Sequence, residues 1–302
     1  MSHPDPATAF HLEPREVARA FGAASDRYDA AARLQRDVRT ELLSRLDGLQ
    51  LTPRAVLDLG AGTGDAAQQL KRRFRRAQVV AADIAPQMLA ATLRRSRWWR
   101  PIRCVEADAR ALPFESASFD LVFTNLMLQW VDPPDMALAQ MRRVLRPGGL
   151  LLASSFGPET LKELRAAWAQ VDDGAHVNRF VDVHDLGGAL QRAGFAEPVL
   201  DVDRHVHYYP DARALMHELK EIGAHNINAG RSRGLTGKSR FAQMQAAYEQ
   251  QRVARGLPAT WQVVHAVAWV PETPAPGVSG VIDGEVRIGV GALQESLSRR
   301  RR

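Results

Sequence analysis

The chain has 302 residues, of which 45% are hydrophobic and 25% charged, with 40 basic and 34 acidic residues. This composition predicts a globular protein with one large core or two modest ones, and no apolar run reaches the ~20 residues that cross a bilayer. The N-terminus lacks the pattern of a signal peptide, and the single cysteine, Cys104, excludes an intrachain disulfide, so we expect a cytoplasmic protein.

Taken in chain order, the sequence predicts a helical segment and then strands that alternate with helices. The helical segment covers residues 13–47. Buried strands follow at 54–60, 77–83, 101–108, 118–128 and 150–156, with helices at 65–74, from Pro86 to about Arg95, and at 135–149. Strands and helices that alternate at this spacing predict a doubly wound parallel sheet.

The remainder of the chain is less regular. Helices are predicted at 158–171 and 182–195, and strands at 198–210 and 260–270. Residues 211–256 look helical, with an interrupting loop at 229–239, so that 207–259 forms an insertion between the last two strands of a seven-stranded sheet. We expect this insertion to be a helical lid over the strand ends.

The first strand ends in a glycine turn, "VLDLGAGTGDAA", at residues 56–67. A dinucleotide-binding loop needs the spacing Gly-x-Gly-x-x-Gly, whereas the glycines here are 60, 62 and 64. Asp65 follows the last glycine at the mouth of a helix, where a carboxylate competes with a phosphate for the same amides, and Asp58 precedes the turn. The loop therefore favours a ligand with a positive charge and no phosphate, such as S-adenosylmethionine.

Three further polar residues lie where that ligand needs them. Asp83 ends the second strand and is placed to accept a hydrogen bond from a ribose hydroxyl. Asp108 follows the third strand, where its carboxylate can accept a hydrogen bond from an adenine amino group, and Asn125 follows the fourth strand. The simpler interpretation of Asp108 and Asn125 is that they cap turns.

Residues 50–156 therefore resemble the class I S-adenosylmethionine-dependent methyltransferases. The resemblance implies a Rossmann-like α/β core, with Gly60 and Gly62 under the methionine part, Asp83 at the ribose and Asp108 at the adenine. The cofactor-binding residues that we expect are Tyr28, Asp58, Gly60, Gly62, Asp83, Ile84, Met88, Asp108, Ala109 and Asn125.

The flanking segments resemble a narrower family, the malonyl-acyl-carrier-protein O-methyltransferases of biotin synthesis. The similar stretches are "RAFGAASDRYDAAARLQ", "NLMLQWVDPP", "SSFGPETLKELRAAW", "AHVNRFVDVHDL" and "LKEIGAHNINAGR", which lie in the family's order between about Arg15 and Pro271. The resemblance implies methyl transfer from S-adenosylmethionine to the free carboxylate of a malonyl thioester on acyl carrier protein, with S-adenosylhomocysteine as the other product. Such a carboxylate is already anionic, so the chemistry needs no general base.

The sequence also suggests which residues hold the acyl group. Arg179 is the candidate partner of the malonyl carboxylate, because a guanidinium pairs with both carboxylate oxygens; a structural arginine is the alternative. Its expected neighbours are His176 and Asn178, and Gln129 and Trp130 are expected to line an acyl channel, although Trp130 fits a core position equally well. Tyr28 is assigned to the cofactor or the substrate side.

No metal site is expected, because His205, His207 and His265 lie in predicted strands without a spacing typical of ligands. Ten basic residues and one acid, Asp83, lie between Lys71 and Arg103, so this segment is either a solvated face or a surface that attracts the acidic carrier protein. A second candidate surface comprises four basic residues of the insertion: Arg231, Arg233, Lys238 and Arg240. We expect a monomer with no nucleic-acid or membrane partner.

Two other functions remain open at this point. Parts of the C-terminal half, such as "FGPETLKELR" and "ATWQVVHAVAW", are also similar to a respiratory complex I assembly factor that hydroxylates an arginine. The other alternative is a non-catalytic cofactor-binding scaffold that binds RNA through its arginines, with Trp98 and Trp99 either stacked on bases or, as is the simpler interpretation, packed in the fold. The expected organisation is a helical cap at 1–49, a cofactor-binding core at 50–156, a substrate-side half at 157–270 and a flexible tail at 271–302.

Overall fold

A computed structural model describes residues 12–224, 226 and 237–272, together with the backbone of two short strands near the C-terminus. Within these residues a seven-stranded sheet has the order β3-β2-β1-β4-β5-β7-β6. Its strands are β1 (Ala55–Leu59), β2 (Gln78–Asp83), β3 (Arg103–Glu106), β4 (Phe119–Asn125), β5 (Leu145–Phe156), β6 (Ala196–Tyr209) and β7 (Leu257–Trp269). The first five pair in parallel, and β7 runs antiparallel to both β5 and β6. The predicted doubly wound α/β sheet is confirmed.

Ten α-helices and one short 3-10 helix (Leu128–Trp130) accompany this sheet in the described part of the chain. The α-helices are α1 (Pro14–Ala24), α2 (Tyr28–Ala31), α3 (Arg33–Ser44), α4 (Asp65–Arg73), α5 (Pro86–Arg95), α6 (Pro134–Val144), α7 (Lys162–Ala169), α8 (Val183–Arg192), α9 (Ala212–Glu221) and α10 (Lys238–Glu249). A proline is the first residue of α1, α5 and α6. This position suits proline because a backbone N–H there would have no partner within the helix. Asp182 and Asp211 cap α8 and α9 by accepting backbone N–H groups.

The core lies on both faces of the sheet. Helices α6 and α8 pack on one face with Leu138, Met141 and Leu190, all fully buried. Helices α3 and α4 cover the other face. A further apolar cluster joins the end of β7 to α7, α9 and α10, so the insertion between β6 and β7 is built into the fold by burial of apolar surface.

Several predicted boundaries were wrong. The helical segment at 13–47 is divided into three helices by a turn at 25–27 and by Ala32, which lies outside the helical region at ψ 49°. The helix predicted at 135–149 ends at Val144, because Leu145 is already extended and pairs with Phe119 as the first residue of β5. The helix predicted from residue 158 begins at Lys162, after Leu161 adopts a positive φ of 54°.

The insertion contains α9 and α10 and contacts the N-terminal helices. Gly223, after α9, has φ +74°, and a Cβ there would lie 3.0 Å from the carbonyl oxygen of Ala20 in α1. The predicted loop at 229–239 falls mostly outside the described residues. The tail predicted at 271–302 contains an antiparallel pair, β8 (Val278–Ile282) and β9 (Glu285–Ile288). Among the described residues, none of the helices has the length and apolar character needed to cross a membrane.

Candidate active site

The glycine turn after β1 has backbone angles that demand glycine. Gly60, Gly62 and Gly64 have φ values of +71°, +54° and +83°. A Cβ on Gly60 would lie 2.5 Å from Cγ of Met127, and one on Gly64 would lie 2.5 Å from Thr92. A Cβ on Gly62, unlike one on Gly60 or Gly64, would not clash, because its only neighbour is Tyr28 at 4.0 Å. A side chain at residue 62 would therefore enter open space above the turn.

That space is a cleft of about 760 Å³ at the carboxyl ends of the parallel strands. This is the edge at which doubly wound sheets bind ligands. Of the residues expected to bind the cofactor, nine line the cleft: Tyr28, Gly60, Gly62, Asp83, Ile84, Met88, Asp108, Ala109 and Asn125. The tenth, Asp58, lines a smaller adjoining cavity that also borders Gly60, Gly62, Tyr28 and Asn125.

Asp83 is a buried carboxylate held at the end of β2. It accepts hydrogen bonds from the backbone N–H groups of Gly62 at 2.8 Å and Ala85 at 2.9 Å, and burial raises its pKa. Both oxygens are therefore fixed in position, while each retains a lone pair. This geometry fits a carboxylate that accepts hydrogen bonds from the hydroxyls of a ribose.

Asp58 is also buried, with 1% of its surface exposed. Burial, together with the nearby charge of Asp83, raises the pKa of Asp58 to about 7. In the described part of the chain, its Oδ2 atom has no hydrogen-bond partner. A buried carboxylate of this kind favours a neighbouring positive charge. The cavity therefore fits the cationic end of S-adenosylmethionine.

Asp65, the first residue of α4, does not act as the sequence predicted. Its carboxylate lies 3.2 Å from Arg39 and 3.3 Å from Arg95, so its charge is already compensated and does not by itself disfavour a phosphate. Arg95 also bonds Asp29 of α2 and, at 3.2 Å, Thr63 of the glycine turn. This network ties the N-terminal helices to the turn, and sequence reasoning missed it because its members are far apart along the chain.

Asp108 is paired within its own loop. Although burial favours the neutral acid, hydrogen bonds from Arg110 hold the pKa of Asp108 below its usual range. The two side chains meet with Nη2 of Arg110 2.8 Å from Oδ2 of Asp108, and both line the cleft. Arg110 was not predicted, and its spacing of two residues from Asp108 was the available signal. The carboxylate is thereby fixed in its charged, accepting form.

The N-terminal helices form the outer wall of the cleft. Tyr28 opens α2, and burial raises the pKa of its phenol, which therefore stays protonated and can donate a hydrogen bond. Phe21 of α1 packs edge to face on Trp130, with ring centroids 5.1 Å apart. Asn125 joins the sheet to α3 through a 3.1 Å hydrogen bond from its Nδ2 to the carbonyl oxygen of Gln35. Closure of the cleft thus depends on residues 12–44.

The residues expected on the substrate side lie around a second, wider cleft of about 1970 Å³. Gln129, His176, Asn178 and Arg179 line it, whereas Tyr28 lines only the cofactor-side cavities. Leu12 and Val131 border both clefts, so the two adjoin one another. The four residues predicted on the substrate side therefore lie around one cleft, and Tyr28 lies apart from them.

The side chains of this second cleft differ in how they are held. His176 stacks on Trp168 with ring centroids 3.7 Å apart, and its Nε2 lies 2.6 Å from Oδ1 of Asp172. Gln129 is buried and donates a 2.7 Å hydrogen bond to the carbonyl oxygen of Leu126. Arg179 is exposed. Arg165, which was not predicted, also lines the cleft and donates to the carbonyl oxygens of Pro158 at 3.0 Å and Thr160 at 2.9 Å.

An apolar cavity of about 640 Å³ lies beside the second cleft. His176 and Asn178 border both, and Trp130 borders this cavity and the first cleft. Phe156, Phe180 and Trp261 form its aromatic lining, with the rings of Phe156 and Trp261 5.3 Å apart. Trp130 is half-buried and lies between the first cleft and the apolar cavity. The first cleft can hold a cofactor, the apolar cavity can hold a hydrocarbon chain, and the second cleft can hold a polar group at the end of that chain.

Comparison with known proteins identifies close relatives. Residues 57–153 match a family described as a methyltransferase domain. The chain is 45% identical over 306 residues to a malonyl-[acyl-carrier protein] O-methyltransferase of Halorhodospira halophila, which covers 99% of this chain and 100% of that protein. It is 46% identical over 272 residues to the protein of the same name from Laribacter hongkongensis, covering 87% of this chain and 91% of that one.

Solved structures support the fold. The YcgJ protein of Bacillus subtilis superimposes with a TM-score of 0.56 at 17% identity, over 78% of this chain and 99% of that chain. A putative methyltransferase of Bacillus halodurans gives a TM-score of 0.56 at 17% identity, over 77% of this chain and 98% of that chain. These similarities confirm the Rossmann-like architecture, and the sequence relatives confirm the narrower of the resemblances seen in the flanking segments.

Proposed function

The chain belongs to the family of malonyl-[acyl-carrier protein] O-methyltransferases, and from that membership we propose that it methylates the free carboxylate of malonyl-acyl carrier protein. It is a methyltransferase that uses S-adenosylmethionine. Relatedness along nearly the whole chain is the observation that carries the proposal. The product is an uncharged methyl ester, which the enzymes of fatty-acid synthesis extend toward the pimeloyl precursor of biotin. We place the reaction in the cytoplasm.

The first cleft and its adjoining cavity hold the methyl donor in this proposal. Asp83 accepts hydrogen bonds from the ribose, and the Asp108–Arg110 pair faces the adenine end. The turn at Gly60 and Gly62 leaves room for the methionine part, and the buried carboxylate of Asp58 favours its positive charge. Tyr28 closes the cleft from the N-terminal side.

When bound, S-adenosylmethionine would supply an electrophilic methyl group to a malonyl carboxylate oxygen, with S-adenosylhomocysteine as the leaving group. No proton moves in this step, so the chain needs to provide orientation and exclusion of water rather than a base. The N-terminal helices and the insertion provide that enclosure. Neutralisation of two opposite charges is favoured further by the apolar lining of Trp130, Phe156 and Phe180.

Arg179 is proposed to pair with the malonyl carboxylate, with Asn178 and Gln129 beside it. His176 acts as a positioning residue, since its ring is held between Trp168 and Asp172. The apolar cavity next to these residues accommodates the carbon chain of the thioester arm. Arg165 also lines this cleft, and its guanidinium donates hydrogen bonds to two backbone carbonyls.

The activity is tested with purified protein, S-adenosylmethionine and malonyl-acyl carrier protein. The expected result is a mass increase of one methylene on the malonyl-acyl carrier protein. Growth of a biotin-pathway methyltransferase knockout on biotin-free medium, restored by this gene, is the cellular counterpart. Binding of S-adenosylmethionine without methyl transfer would favour a scaffold and would contradict the proposal.

The role of Arg179 has its own test. Arg179→Ala should raise the KM for malonyl-acyl carrier protein at least tenfold, because a charge-assisted pair contributes about 1.5–3 kcal/mol, while the Kd for S-adenosylmethionine stays unchanged. Arg204→Ala is the matched control, since Arg204 is exposed on β6 outside the clefts. Equal kinetics for wild type and Arg179→Ala would overturn this role and direct attention to Arg165.

A further inference from the structure

The small cavity that adjoins the first cleft has α3 as one of its walls. It has a volume of about 450 Å³, and Asp58 lines it from the end of β1. The residues at the start and in the first two turns of α3 that line it share one face of the helix, namely Ala32, Gln35, Arg36 and Arg39. The hydrogen bond from Asn125 to the carbonyl oxygen of Gln35 fixes this face at the sheet edge. The N-terminal helices therefore contribute two arginines to a space next to the cofactor cleft.

Arg39 is the arginine of this wall whose hydrogen bonding is incomplete. Only 12% of its side chain is exposed. In the part of the chain that the structure describes, its buried Nε has no hydrogen-bond partner. Buried N–H groups are normally paired with an acceptor, so this one requires an explanation. A guanidinium in a cavity wall is explained by an anionic ligand, because a carboxylate accepts charge-assisted hydrogen bonds from it.

The ion pair between Arg39 and Asp65 is compatible with a second anion. Nη2 of Arg39 lies 3.2 Å from Oδ2 of Asp65, whose side chain is 40% exposed and also lies 3.3 Å from Arg95. A guanidinium carries five N–H donors on three nitrogens, so it can hold two carboxylates at different edges. Asp65 therefore keeps its place at the rim while Arg39 pairs with a ligand inside the cavity.

The amino-acid end of the methyl donor carries two opposite charges, an ammonium and a carboxylate. Asp58 suits the ammonium, but its own charge repels a carboxylate in the same cavity. Burial is the main cause of the raised pKa of Asp58, and the positive charge of Arg39 acts against it, so the two side chains lie within range of each other's field. One acidic and one basic group in a shared cavity match both charges of an amino acid.

We propose that Arg39 binds the α-carboxylate of S-adenosylmethionine and so makes the enzyme select methyl donors that retain this group. The inference rests on the proposed placement of the donor in the first cleft and its adjoining cavity. Arg39 determines specificity and takes no part in the transfer itself, because the carboxylate lies at the opposite end of the methionine side chain from the sulfonium. The same contact joins α3 to the bound donor, which helps to hold the N-terminal helices over the cleft.

The test compares S-adenosylmethionine with decarboxylated S-adenosylmethionine, which lacks only the α-carboxylate. Calorimetric titration of the full-length chain at pH 8, above the pKa of Asp58, gives a Kd for each ligand. The wild type should bind the decarboxylated ligand at least tenfold more weakly, because charge-assisted hydrogen bonds are strong. Arg39→Gln should bind S-adenosylmethionine at least tenfold more weakly than the wild type and should lose most of the preference between the two ligands. Damage to the fold alone would weaken both ligands alike and leave their ratio unchanged.

Two further variants control for charge and for the helix. Arg33→Gln makes the same change on the same helix, at an exposed position that lines a different groove beside β6, and should keep the wild-type Kd for both ligands. Arg39→Lys keeps the charge without the planar fork and should bind S-adenosylmethionine more tightly than Arg39→Gln.

The wild-type comparison needs no variant, so it decides the matter even if Arg39→Gln does not fold. Equal Kd values of the wild type for the two ligands would overturn the proposal, and so would an unchanged ratio in Arg39→Gln. A wild type that binds neither ligand would contradict the proposed cofactor site itself, which separates that failure from a failure of the role given to Arg39.

Discussion

At the scale of single residues, Gly62 shows how backbone and ligand requirements coincide. Its φ of +54° strains any residue with a Cβ, and that Cβ would project into the cofactor cleft. Gly62→Ala should therefore raise the Kd for S-adenosylmethionine about tenfold or more, because the Cβ occupies cofactor space, and the left-handed conformation should lower the free energy of unfolding by roughly 1–2 kcal/mol. Calorimetric titration measures this, with Gly48→Ala as control because a Cβ there meets nothing within 4 Å.

Asp58 predicts a proton linkage to cofactor binding. The pKa of its carboxyl is raised to about 7, so at pH 6 the unliganded protein carries a proton on most of its Asp58 side chains. A cation that binds beside Asp58 favours the ionised form and lowers this pKa, so binding should release up to one proton at pH 6 and much less at pH 8. Calorimetry in buffers of different ionisation enthalpy measures the release.

The test variant is Asp58→Asn and its control is Asp65→Asn, on the other side of the glycine turn. Asp58→Asn should bind the cofactor with no proton release at pH 6, while Asp65→Asn should keep the release, because Asp65 is paired with arginines. Release that persists in Asp58→Asn would assign the proton to another group and contradict the electrostatic role given to this residue.

At the scale of elements, the attachment of α2 to the glycine turn is the contact most open to test. Arg95 of α5 bonds Asp29 of α2 together with Thr63 and Asp65, whereas the adjacent Arg94 is exposed and lies 3.6 Å from Asp26. Arg95→Gln should loosen residues 12–44, which will show as faster amide hydrogen exchange there and a Tm lower by roughly 2–4 °C for each kcal/mol lost.

The control for this contact is Arg94→Gln, which removes the same charge from the same helix. It should leave both hydrogen exchange and Tm close to wild type, since exposed pairs contribute about 0–1 kcal/mol. Saturating S-adenosylmethionine should restore protection to Arg95→Gln, because the ligand contacts both the turn and the N-terminal helices in the proposed arrangement. Equal exchange in the two variants would refute the network's role in closing the cleft.

At the scale of the whole molecule, the distribution of basic residues bears on how an acidic carrier protein docks. The surface expected between Lys71 and Arg103 is not uniformly available: Lys71 donates to the carbonyl oxygen of Ala77, Arg73 pairs with Asp47, and Arg95 belongs to the glycine-turn network. Arg72, Arg75, Arg76, Arg97 and Arg103 are exposed. In the alternative surface, Arg231 and Arg233 lie outside the described residues, and Lys238 and Arg240 are exposed.

If charge attracts the carrier protein, kcat/KM should depend on salt, and variants of the docking surface should change that dependence more than variants of the other surface. The kcat/KM for malonyl-acyl carrier protein should fall as salt rises, because screening weakens long-range attraction. Glutamate substitutions at Arg72, Arg75 and Arg76 should lower kcat/KM and flatten this dependence if the first surface docks the partner; substitutions at Lys238 and Arg240 should do so if the second does. An unchanged salt dependence in both sets would exclude electrostatic steering by either surface.

Much of this protein was determined by local sequence pattern. The alternation of strands and helices predicted the doubly wound sheet, because buried strands appear in the sequence as short apolar runs and helices as apolar residues three or four positions apart. The positions of Gly60, Gly62, Asp83 and Asp108 at consecutive strand ends were also predictable, since parallel strands end at one sheet edge. The flanking motifs identified the family because several of them occur along the chain in the family's order, and such a match is more specific than the cofactor-binding core.

Only the tertiary structure decided which distant residues meet. Arg95 was predicted to lie on a basic face that is either solvated or a docking surface, and it holds α2 to the glycine turn. Tyr28 was assigned to the cofactor side or the substrate side, and it lines the cofactor-side cavities. Glu41 and His265 are 224 positions apart, so no spacing rule joins them, yet the packing of α3 on the sheet brings Oε2 of Glu41 to 3.7 Å from Nε2 of His265. Local pattern fixes what each element buries, whereas contacts between elements depend on how the completed sheet and its helices pack.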